Sequence, residues 1–540
     1  MTRSSYMDSV NQMKILVADD IPDRALHVLQ AQPGWTVVNL PAKPPGAGPV
    51  AEEITDADAL IVRSATKVTS ELLGQALRLR VIGRAGVGVD NVDLDAATQR
   101  GVVVMNTPGG NAVSVAEHTM ALILALARHL PHADISLKQG RWEKKKLQGT
   151  EVRGKTLGLV GLGRVGGEVA RLAQAFGMST VAYDPYVSSK IAGEQNVTLG
   201  SLEEVLKAAD YISLHASLTP ATQHIINSKT LALTQPGVHI VNCARGELVN
   251  EADLLAALES GQVGGAGLDV FEKEPPRDGK LVVHPNVIAT PHIAGSTEEA
   301  QETVGIRIAE QVRDYLLEGI ARNAVNIPSL SAEEYRKLQP YLQLGEKLGA
   351  FLAQISGERL EEVRISYDGG LAELNTHPVK NAVLKGILGQ VLSEQVNLVN
   401  AAALTASRGI EVVELRSARR ADFSNSLGIA LRTDTESCSG LGMVGLRGAM
   451  RLLGVNDIDI EAPLKGTILF IRNNDTPGVI GQIGTLLGNH NINIANFALG
   501  RSEGNHHAVG VVNVDSEISE EVLRQIHACS SIQFARVVEL

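Results

Sequence analysis

Residues 155–170, KTLGLVGLGRVGGEVA, are the stretch that decides the fold, because a short apolar run leads directly into closely spaced glycines. Gly161, Gly163 and Gly166 satisfy the pattern G-x-G-x-x-G, and the residues after them have helical spacing. In that pattern the first glycine permits a tight turn, the second lets a pyrophosphate approach the backbone, and the third lets the helix pack on the strand. The helix N-terminus adds N–H donors and partial positive charge. The stretch therefore predicts a dinucleotide-binding turn.

The next predicted strand, STVAYDP, indicates which dinucleotide binds. It ends in Asp184, close to the ~20 residues beyond the glycines at which a carboxylate accepts the ribose hydroxyls. A carboxylate there repels a 2′-phosphate, and Pro185 and Tyr186 offer no cation to receive one, so NAD is favoured over NADP. Within the turn, Val165 follows Arg164, whose guanidinium could pair with the pyrophosphate or could be a solvated surface group.

Around this stretch the chain alternates short β-branched runs with amphipathic segments, which predicts parallel sheets covered by helices on both faces. Two such sets occur, so we expect two doubly wound α/β domains with a cleft between them. The first comprises residues 13–112 and 297–327, and the dinucleotide-binding domain comprises residues 113–296. After a polar, proline-bearing linker, residues 335–460 and 466–540 predict two α+β domains.

Composition excludes several classes of function. The net charge of −11 and the 3% of aromatic residues disfavour binding to nucleic acid or to anionic membranes. The longest apolar segment, VAEHTMALILALARHL, is too short and too charged to span a bilayer. Cys243, Cys438 and Cys529 lie far apart, so we expect neither a metal site nor disulfides, and a reducing cytoplasm fits the chain.

Candidate catalytic groups follow successive predicted strands of the dinucleotide-binding domain. Arg245 lies in NCARG, Glu274 in LDVFEKEPP and His292 in IATPHIAGS. Taken alone, His292 could be a packed histidine at the end of a buried strand. However, the carboxyl ends of parallel strands meet at one edge of a sheet, where ligands bind. There an arginine could grip a carboxylate, and a glutamate could orient a histidine that accepts a proton. We therefore expect hydride transfer from a hydroxy acid.

Seven segments resemble the D-isomer-specific 2-hydroxyacid dehydrogenases: VRSATKVT, GRAGVGVDNVDLDAA, NTPGGNAVSVAEHTMALILALAR, GLGRVGGEVA, NCARGELVNEADLLAAL, LDVFEKEPP and TPHIAGST. They cover about residues 13 to 327. The resemblance implies two Rossmann-like domains, one for substrate and one for NAD, and the catalytic roles already suggested for Arg245, Glu274 and His292. It also implies that Asp269 lies near the nicotinamide carboxamide. The further substrate residues that it implies are Arg63, Ser64, Ala85, Gly86, Val87 and Asn111.

Two departures from the family's pattern are visible. Ala216 and Ser217 stand where a polar residue and a proline are common, and HIAGST inverts the usual glycine–alanine order after the histidine. The first departure concerns one contact to the cofactor. We expect both departures to be tolerated, because the catalytic groups are present.

The segment NNDTPGVIGQIGTLLGNHNINIANF resembles the ACT domain, a ligand-sensing module. The resemblance implies L-serine as effector, with Asp475 accepting from its ammonium group and Asn493 bonding its carboxylate or hydroxyl across a domain interface. The alternative is a purely structural domain that mediates oligomerisation. The region before this module resembles an intervening regulatory domain. Its arginines, Arg416, Arg419 and Arg420, could bind anions or form a solvated face.

Within the family, the chain most resembles the long forms that oxidise 3-phospho-D-glycerate to 3-phosphohydroxypyruvate with NAD, the first step of serine biosynthesis. Two alternatives stay open. One is the same chemistry on another acid, such as glycerate, and the other is a non-enzymatic NAD sensor like the corepressors that share the fold. The resemblance also implies a homo-oligomer, either a dimer through the NAD-binding domain or a tetramer through the C-terminal domains.

Overall fold

The computed structural model describes residues 12–40, 48–276, 279–327, 332–356, 360–390, 392, 396–417, 425–434, 436–502 and 507–540. The first domain contains a parallel sheet with the strand order β2-β1-β3-β4-β5. Its strands are β1 (Met13–Val17), β2 (Trp35–Asn39), β3 (Ala59–Val62), β4 (Val81–Arg84) and β5 (Val103–Met105). Its helices are α1 (Asp23–Gln30), α2 (Gly48–Glu53), α3 (Ser70–Gln75) and α4 (Leu94–Gln99). The two sheet faces bury separate apolar clusters, which explains why the central strands are apolar throughout.

Two helices, α5 (Ala112–Arg128) and α6 (Leu130–Lys138), connect this domain to the second. The second sheet consists of β6 (Thr156–Val160), β7 (Ser179–Tyr183), β8 (Thr198–Leu199), β9 (Tyr211–Leu214), β10 (Val238–Asn242), β11 (Val263–Leu268) and β12 (Val287–Ala289). Its other helices are α7 (Arg164–Ala175), α8 (Ser189–Glu194), α9 (Leu202–Ala208), α10 (Ser228–Leu231) and α11 (Glu251–Ser260). The sheet is parallel with the order β8-β7-β6-β9-β10-β11-β12. The strand order reverses between β6 and β9, where doubly wound sheets bind their ligands.

Helix α12 (Glu298–Glu318) returns the chain to the first domain. Its buried face, which includes Val304, Ile308 and Val312, packs against the first sheet and completes one of its two cores. The prediction of two doubly wound domains is confirmed. A cleft lined by residues of both domains lies between them, and the segment that contains His292 passes directly into α12.

The third domain contains a six-stranded mixed sheet with the order β14-β13-β15-β16-β17-β18. Its strands are β13 (Leu360–Gly369), β14 (Glu411–Ser417), β15 (Asn425–Thr433), β16 (Ser437–Val444), β17 (Met450–Val455) and β18 (Ile458–Pro463). Its helices are α13 (Ala332–Ile355), α14 (His377–Leu388) and α15 (Ala401–Ser407). Among the described residues of this domain, only β13 and β14 pair in parallel, and α13 packs against α14 over the sheet.

The fourth domain contains an antiparallel sheet with the order β20-β21-β19-β22. Its elements are β19 (Thr467–Asn474), α16 (Val479–Asn489), β20 (Ile494–Arg501), β21 (His507–Val514), α17 (Glu520–His527) and β22 (Ile532–Glu539). The predicted βαββαβ order is confirmed. Among the described residues, no helix combines the length and the apolarity that a membrane span requires.

Candidate active site

The dinucleotide turn joins β6 to α7. Gly161 has a φ of +101°, and Gly163 precedes the first residue of α7. A Cβ atom on Gly166 would lie 2.3 Å from the carbonyl oxygen of Gly161, so a larger residue there would separate the helix from the turn. The space around Gly163 is open, since a Cβ there would meet no atom within 4 Å. The turn therefore has the shape that a pyrophosphate needs, with the N-terminus of α7 directed at it.

Asp184 lies beside this turn. Its carboxylate accepts hydrogen bonds from the backbone N–H of Leu162 at 2.8 Å and of Tyr186 at 2.8 Å. These bonds hold the acid next to the glycines, where an NAD ribose would lie, and they leave the outer lone pairs of the carboxylate for ribose hydroxyls. Arg164 points across the cleft, because its side chain occupies the space into which a Cβ on Gly109 of the first domain would project.

Glu274 and His292 form a hydrogen-bonded pair. The Nδ1 atom of His292 lies 2.7 Å from Oε2 of Glu274, while Oε1 of Glu274 accepts from the N–H of Phe271 at 3.2 Å. The hydrogen bond from Glu274 raises the pKa of His292 above its usual value, in spite of partial burial. Burial acts to raise the pKa of Glu274, but the hydrogen bond and charge of His292 outweigh it and lower that pKa. The Nε2 atom of His292 is left for a substrate proton.

Asp269 fixes the loop that carries His292. It is fully buried after β11, and its two oxygens accept from the N–H groups of Ile293 and Ala294, each at 2.8 Å. Its Oδ1 atom also accepts a hydrogen bond from the hydroxyl of Thr290 at 2.6 Å. The same hydroxyl lies 3.0 Å from Nε2 of His118. His292 itself has a φ of +54°, which is uncommon for a residue with a side chain. The buried carboxylate therefore stabilises an otherwise unfavourable loop conformation.

Three guanidinium groups face this pair in a cleft of about 420 Å³. Arg245 follows β10 and bonds Asp90 of the first domain through Nε and Nη2, each at 3.1 Å. Arg63 follows β3, and its Nη1 donates to the carbonyl oxygen of Asp20 at 3.1 Å. Arg84 ends β4, and its Nε is buried with no hydrogen-bond partner in the described part of the chain. Three cations therefore line the same cleft as His292 and Glu274, and one of them, Arg245, is paired with Asp90.

Arg84 is the member of this set that the sequence analysis missed. Burial, together with the positive charges of Arg245 and Arg63, lowers the pKa of Arg84 to about 10, so it stays charged at neutral pH. The glycines of GRAGVGVD make room for these cations. A Cβ on Gly86 would lie 1.5 Å from Nη1 of Arg84, and one on Gly88 would lie 2.0 Å from Nη2 of Arg245. The sequence could have identified Arg84 as a site residue, because it ends a predicted strand and directly precedes the candidate residues Ala85 and Gly86.

The structure brings most of the other predicted substrate residues into the cleft. Its lining includes Ser64, Ala85, Gly86 and Asn111 together with the catalytic residues. Val87 is the exception. Its side chain is 38% exposed beside the turn and does not line the cleft, while its carbonyl oxygen accepts from Asn106 at 2.6 Å.

The two departures noted in the sequence fit this local structure. Ala294 is 3% exposed in the core of the NAD-binding domain, and Gly295 lets the amide of Asn111 lie where a Cβ would project. The inverted order after His292 thus places an alanine in the core and a glycine beside Asn111, which precedes α5. Ala216 also packs against the core, and its N–H lies within 2.9 Å of where a Cβ on Gly161 would be.

The predicted effector residues lie in the fourth domain, at opposite ends of its sheet. Asp475 follows β19 and pairs with Nε of Arg501 at 3.2 Å, whereas Asn493 precedes β20 and bonds Asp515 at 2.6 Å. Because Thr467 pairs with Val514 and Asn474 with His507, these two pairs are a full strand length apart. One copy of the domain therefore does not bring them together. Of the arginines in the third domain, Arg416 donates to Thr376 at 2.7 Å, while Arg419 and Arg420 lie outside the described residues.

Three family models match the chain. The D-isomer specific 2-hydroxyacid dehydrogenase NAD binding domain matches residues 120–294, the D-3-phosphoglycerate dehydrogenase intervening domain matches residues 337–456, and the ACT domain matches residues 467–530. Two curated relatives cover almost the whole chain. A D-3-phosphoglycerate dehydrogenase of Synechocystis sp. is 41% identical over 98% of this chain and 96% of its own length. One of Methanocaldococcus jannaschii is 41% identical over 98% of this chain and 100% of its own length.

Solved structures resemble the first two domains. A D-lactate dehydrogenase from Aquifex aeolicus, complexed with NAD and lactic acid, superposes with a TM-score of 0.52 and 32% identity, covering 58% of this chain and all of that one. The TT0316 protein from Thermus thermophilus superposes with a TM-score of 0.54 and 36% identity over the same shares.

Proposed function

Because the chain belongs to the D-3-phosphoglycerate dehydrogenase family of D-isomer specific 2-hydroxyacid dehydrogenases, we propose that it oxidises 3-phospho-D-glycerate to 3-phosphohydroxypyruvate, the first step of L-serine biosynthesis. It is an NAD-dependent oxidoreductase. The observation that carries the choice of substrate is the set of three guanidinium groups opposite the His292–Glu274 pair. A 2-hydroxy acid with only a carboxylate needs one such group, whereas a second anionic end, such as a phosphate, needs more.

Each charged group of the cleft then has one role in the proposed reaction. Arg245 binds the carboxylate with the Nε and Nη2 donors that otherwise bond Asp90, and Arg63 and Arg84 bind the phosphate. This arrangement presents the C2 hydroxyl to Nε2 of His292, since Nδ1 is already bound to Glu274. His292 accepts the hydroxyl proton as the hydride leaves C2, and Glu274 stabilises the imidazolium that forms. NAD⁺ supplies the hydride acceptor. Gly161, Gly163 and Gly166 would hold its pyrophosphate, with Asp184 at the ribose.

The direct test follows NADH oxidation with 3-phosphohydroxypyruvate and, in parallel, with hydroxypyruvate. We expect rapid turnover that depends on the phosphate. Equal turnover of the unphosphorylated acid would keep the dehydrogenase chemistry and reject the substrate. Tight binding of NADH without turnover of either acid would instead support a redox-sensing protein. The fold does not exclude that alternative, because one fold can serve many functions.

Replacing Arg84 by methionine should separate the two ends of the substrate. Since a hydrogen bond to a charged group contributes about 1.5–3 kcal/mol, we expect kcat/KM for 3-phosphohydroxypyruvate to fall about 10- to 100-fold. The value for hydroxypyruvate should change less than about twofold, because that acid has no phosphate to lose. Methionine preserves most of the buried volume. An equal loss for both acids would remove Arg84 from the phosphate site.

The Glu274→Gln variant tests the pairing with His292 through pH. Glu274 raises the pKa of His292, so oxidation, which needs neutral His292, should weaken as pH falls through that raised pKa. Reduction needs protonated His292 and should weaken as pH rises through it. In Glu274→Gln both limbs should move to lower pH, with kcat about 100-fold lower. Profiles of kcat/KM in both directions measure this, and unshifted limbs would show that Glu274 does not control the titration.

We propose L-serine as the effector of the ACT domain, with Asp475 and Asn493 as its ligands. The separation of these residues within one copy supports a site that two copies of the domain complete, each contributing one end of its sheet. Calorimetric titration of the full chain with L-serine should show saturable heat, and Asp475→Ala should weaken binding at least tenfold because the ammonium loses its carboxylate. Lack of heat with the parent chain, or parent-like binding by Asp475→Ala, would leave an oligomerisation role. Regulation requires a change in activity as well.

We also propose that the chain forms a homo-oligomer in the cytoplasm. The segment from α6 to Trp142 exposes large apolar side chains, with Leu137 at 60% and Trp142 at 81% exposure. Apolar groups clustered in this way on one segment are typical of a surface that a second copy covers, which favours a dimer through the NAD-binding domain. Cys243, Cys438 and Cys529 are all free, as a reducing compartment allows.

A further inference from the structure

A second cavity lies between the substrate-binding domain and the third domain. Its volume of about 810 Å³ exceeds that of the catalytic cleft. One wall consists of the segment before β4 and the turn between α4 and β5, and the other consists of α14 and residues 396–400 before α15. Tyr315 of α12 closes part of it. The cavity is therefore built by two domains rather than by one surface.

The two walls are fixed to each other by hydrogen bonds and apolar packing. Asn397 donates through Nδ2 to the carbonyl oxygen of Gly101 at 2.8 Å, and its Oδ1 accepts from the N–H groups of Val399 at 2.9 Å and Asn400 at 3.2 Å. Val399 is 6% exposed and belongs to the apolar core of the substrate-binding domain. Gly101 has a φ of +73°, and a Cβ there would lie 2.1 Å from Nδ2 of Asn397. Polar and apolar contacts therefore join the two domains beside the cavity.

The charged residues of the cavity are mostly cations. Arg78 pairs with Asp58 at 3.0 Å, and Lys385 pairs with Glu346 at 2.6 Å. Arg80 and Arg100 have no carboxylate partner in the described part of the chain. Arg100 donates to the carbonyl oxygen of Ala76 at 3.0 Å, and the guanidinium of Arg80 lies 6.0 Å from the centre of the Tyr315 ring. Two uncompensated guanidinium groups therefore face one cavity, in a chain with a net charge of −11.

We propose that this cavity binds a small multivalent oxyanion, either a phosphorylated compound or a polycarboxylate, between Arg80 and Arg100. Planar guanidinium groups bind both kinds of anion with paired N–H donors. A volume of this size admits a ligand of metabolite dimensions. Both arginines belong to the first domain, and Lys385 and residues 396–400 of the third domain line the same cavity.

The position of the cavity relates it to the catalytic cleft. Arg80 directly precedes β4 and Arg84 ends it, so the two cationic sites lie at opposite ends of one four-residue strand, roughly 13 Å apart. Helix α12 also runs between them, since Gln301 lines the cleft and Tyr315 lines the cavity. The two sites are separate, and an anion that binds one does not occupy the other.

The experiment titrates the full chain, saturated with NADH so that the dinucleotide turn is occupied, with sodium pyrophosphate in a calorimeter. Sodium citrate is a second arm, and ionic strength is held constant with NaCl. The Arg80→Gln/Arg100→Gln variant removes the proposed site, and Arg63→Gln/Arg245→Gln removes two of the three guanidinium groups in the cleft that contains His292. Arg153→Gln is the matched control, because Arg153 is an exposed arginine of the NAD-binding domain with no carboxylate partner in the described part of the chain. Circular dichroism and thermal melting establish that each variant is folded.

We expect saturable binding that persists in Arg63→Gln/Arg245→Gln and in Arg153→Gln. The Kd for the anion should rise about 100-fold in Arg80→Gln/Arg100→Gln, because loss of each arginine is expected to weaken binding about tenfold. Binding of pyrophosphate alone or citrate alone assigns the kind of oxyanion. Parent-like affinity in Arg80→Gln/Arg100→Gln would overturn the proposal. So would complete loss of binding in Arg63→Gln/Arg245→Gln, or the absence of saturable heat from the parent chain with either anion.

Discussion

His292→Ala is expected to lower kcat about 10³-fold in both directions, with the Kd for NADH changed less than about twofold. The physical reason is that the imidazole accepts the hydroxyl proton, and a positioned general base contributes 10²- to 10⁴-fold to such a step. Its Nδ1 is held by Glu274 at 2.7 Å, which leaves Nε2 as the nitrogen that accepts this proton. Stopped-flow or steady-state absorbance of NADH gives the rate, and fluorescence titration gives the affinity.

The control is His27→Ala, which removes an exposed imidazole from α1 and should leave kcat unchanged. An unaltered rate in His292→Ala would exclude the histidine from the mechanism. A large loss of NADH affinity would instead indicate that the Asp269-bound loop had collapsed, since the backbone of His292 also bonds the carbonyl oxygen of Asp269 at 2.8 Å. The two measurements together therefore distinguish a chemical role from a structural one.

Arg245→Ala is expected to lower kcat/KM about 10³-fold. It removes two charge-assisted hydrogen bonds to the substrate carboxylate, each contributing about 1.5–3 kcal/mol. It also leaves Asp90 without its cation, so a carboxylate faces an anionic substrate. Arg245→Lys keeps the charge but loses the paired geometry, and we expect it to fall between the parent and Arg245→Ala. Steady-state kinetics with 3-phosphohydroxypyruvate measures both variants.

Arg153→Ala serves as the matched control for charge and should retain the parent kcat/KM. If Arg245→Lys were as active as the parent, a point charge would suffice and the bidentate arrangement would be wrong. If Arg245→Ala changed kcat/KM for phosphorylated and unphosphorylated acids to different degrees, Arg245 would contact the phosphate rather than the carboxylate. Comparison with Arg84→Met, for which such a difference is expected, therefore assigns the two ends of the substrate.

Most of the fold could be predicted because it rests on local patterns. Each apolar run that we interpreted as a strand of the first two domains forms one, for example β6 (Thr156–Val160) and β10 (Val238–Asn242). Strand β8 was missed because it has two residues, Thr198–Leu199, and shows no periodicity. The inner arrangement of the third domain was also not predicted. Its mixed sheet depends on pairings between distant segments, such as β13 with β14 and β15, which no local pattern reveals.

The residues of the candidate site likewise fall into two groups, those that local patterns predict and those that depend on the packing of distant segments. Arg245, Glu274 and His292 were found because parallel strands bring their carboxyl ends to one edge. Arg84 and Asp90 were not, because their contribution depends on how the first domain closes over the second. Asp475 and Asn493 stay predictions, since one copy of the chain places them apart.

By itself, the sequence determined the dinucleotide turn, the preference for NAD and the position of Arg245, Glu274 and His292 at one edge of a sheet. Glycine spacing, strand periodicity and strand-end positions are properties of one segment or one sheet, so they can be read without the tertiary structure. Only the tertiary structure decided the cationic wall opposite His292, the role of buried Asp269 in holding its loop, and the anion-sized cavity at the domain junction. These features depend on side chains from segments far apart in the chain. Their electrostatic effects arise only when packing brings the charges close together and excludes water from between them.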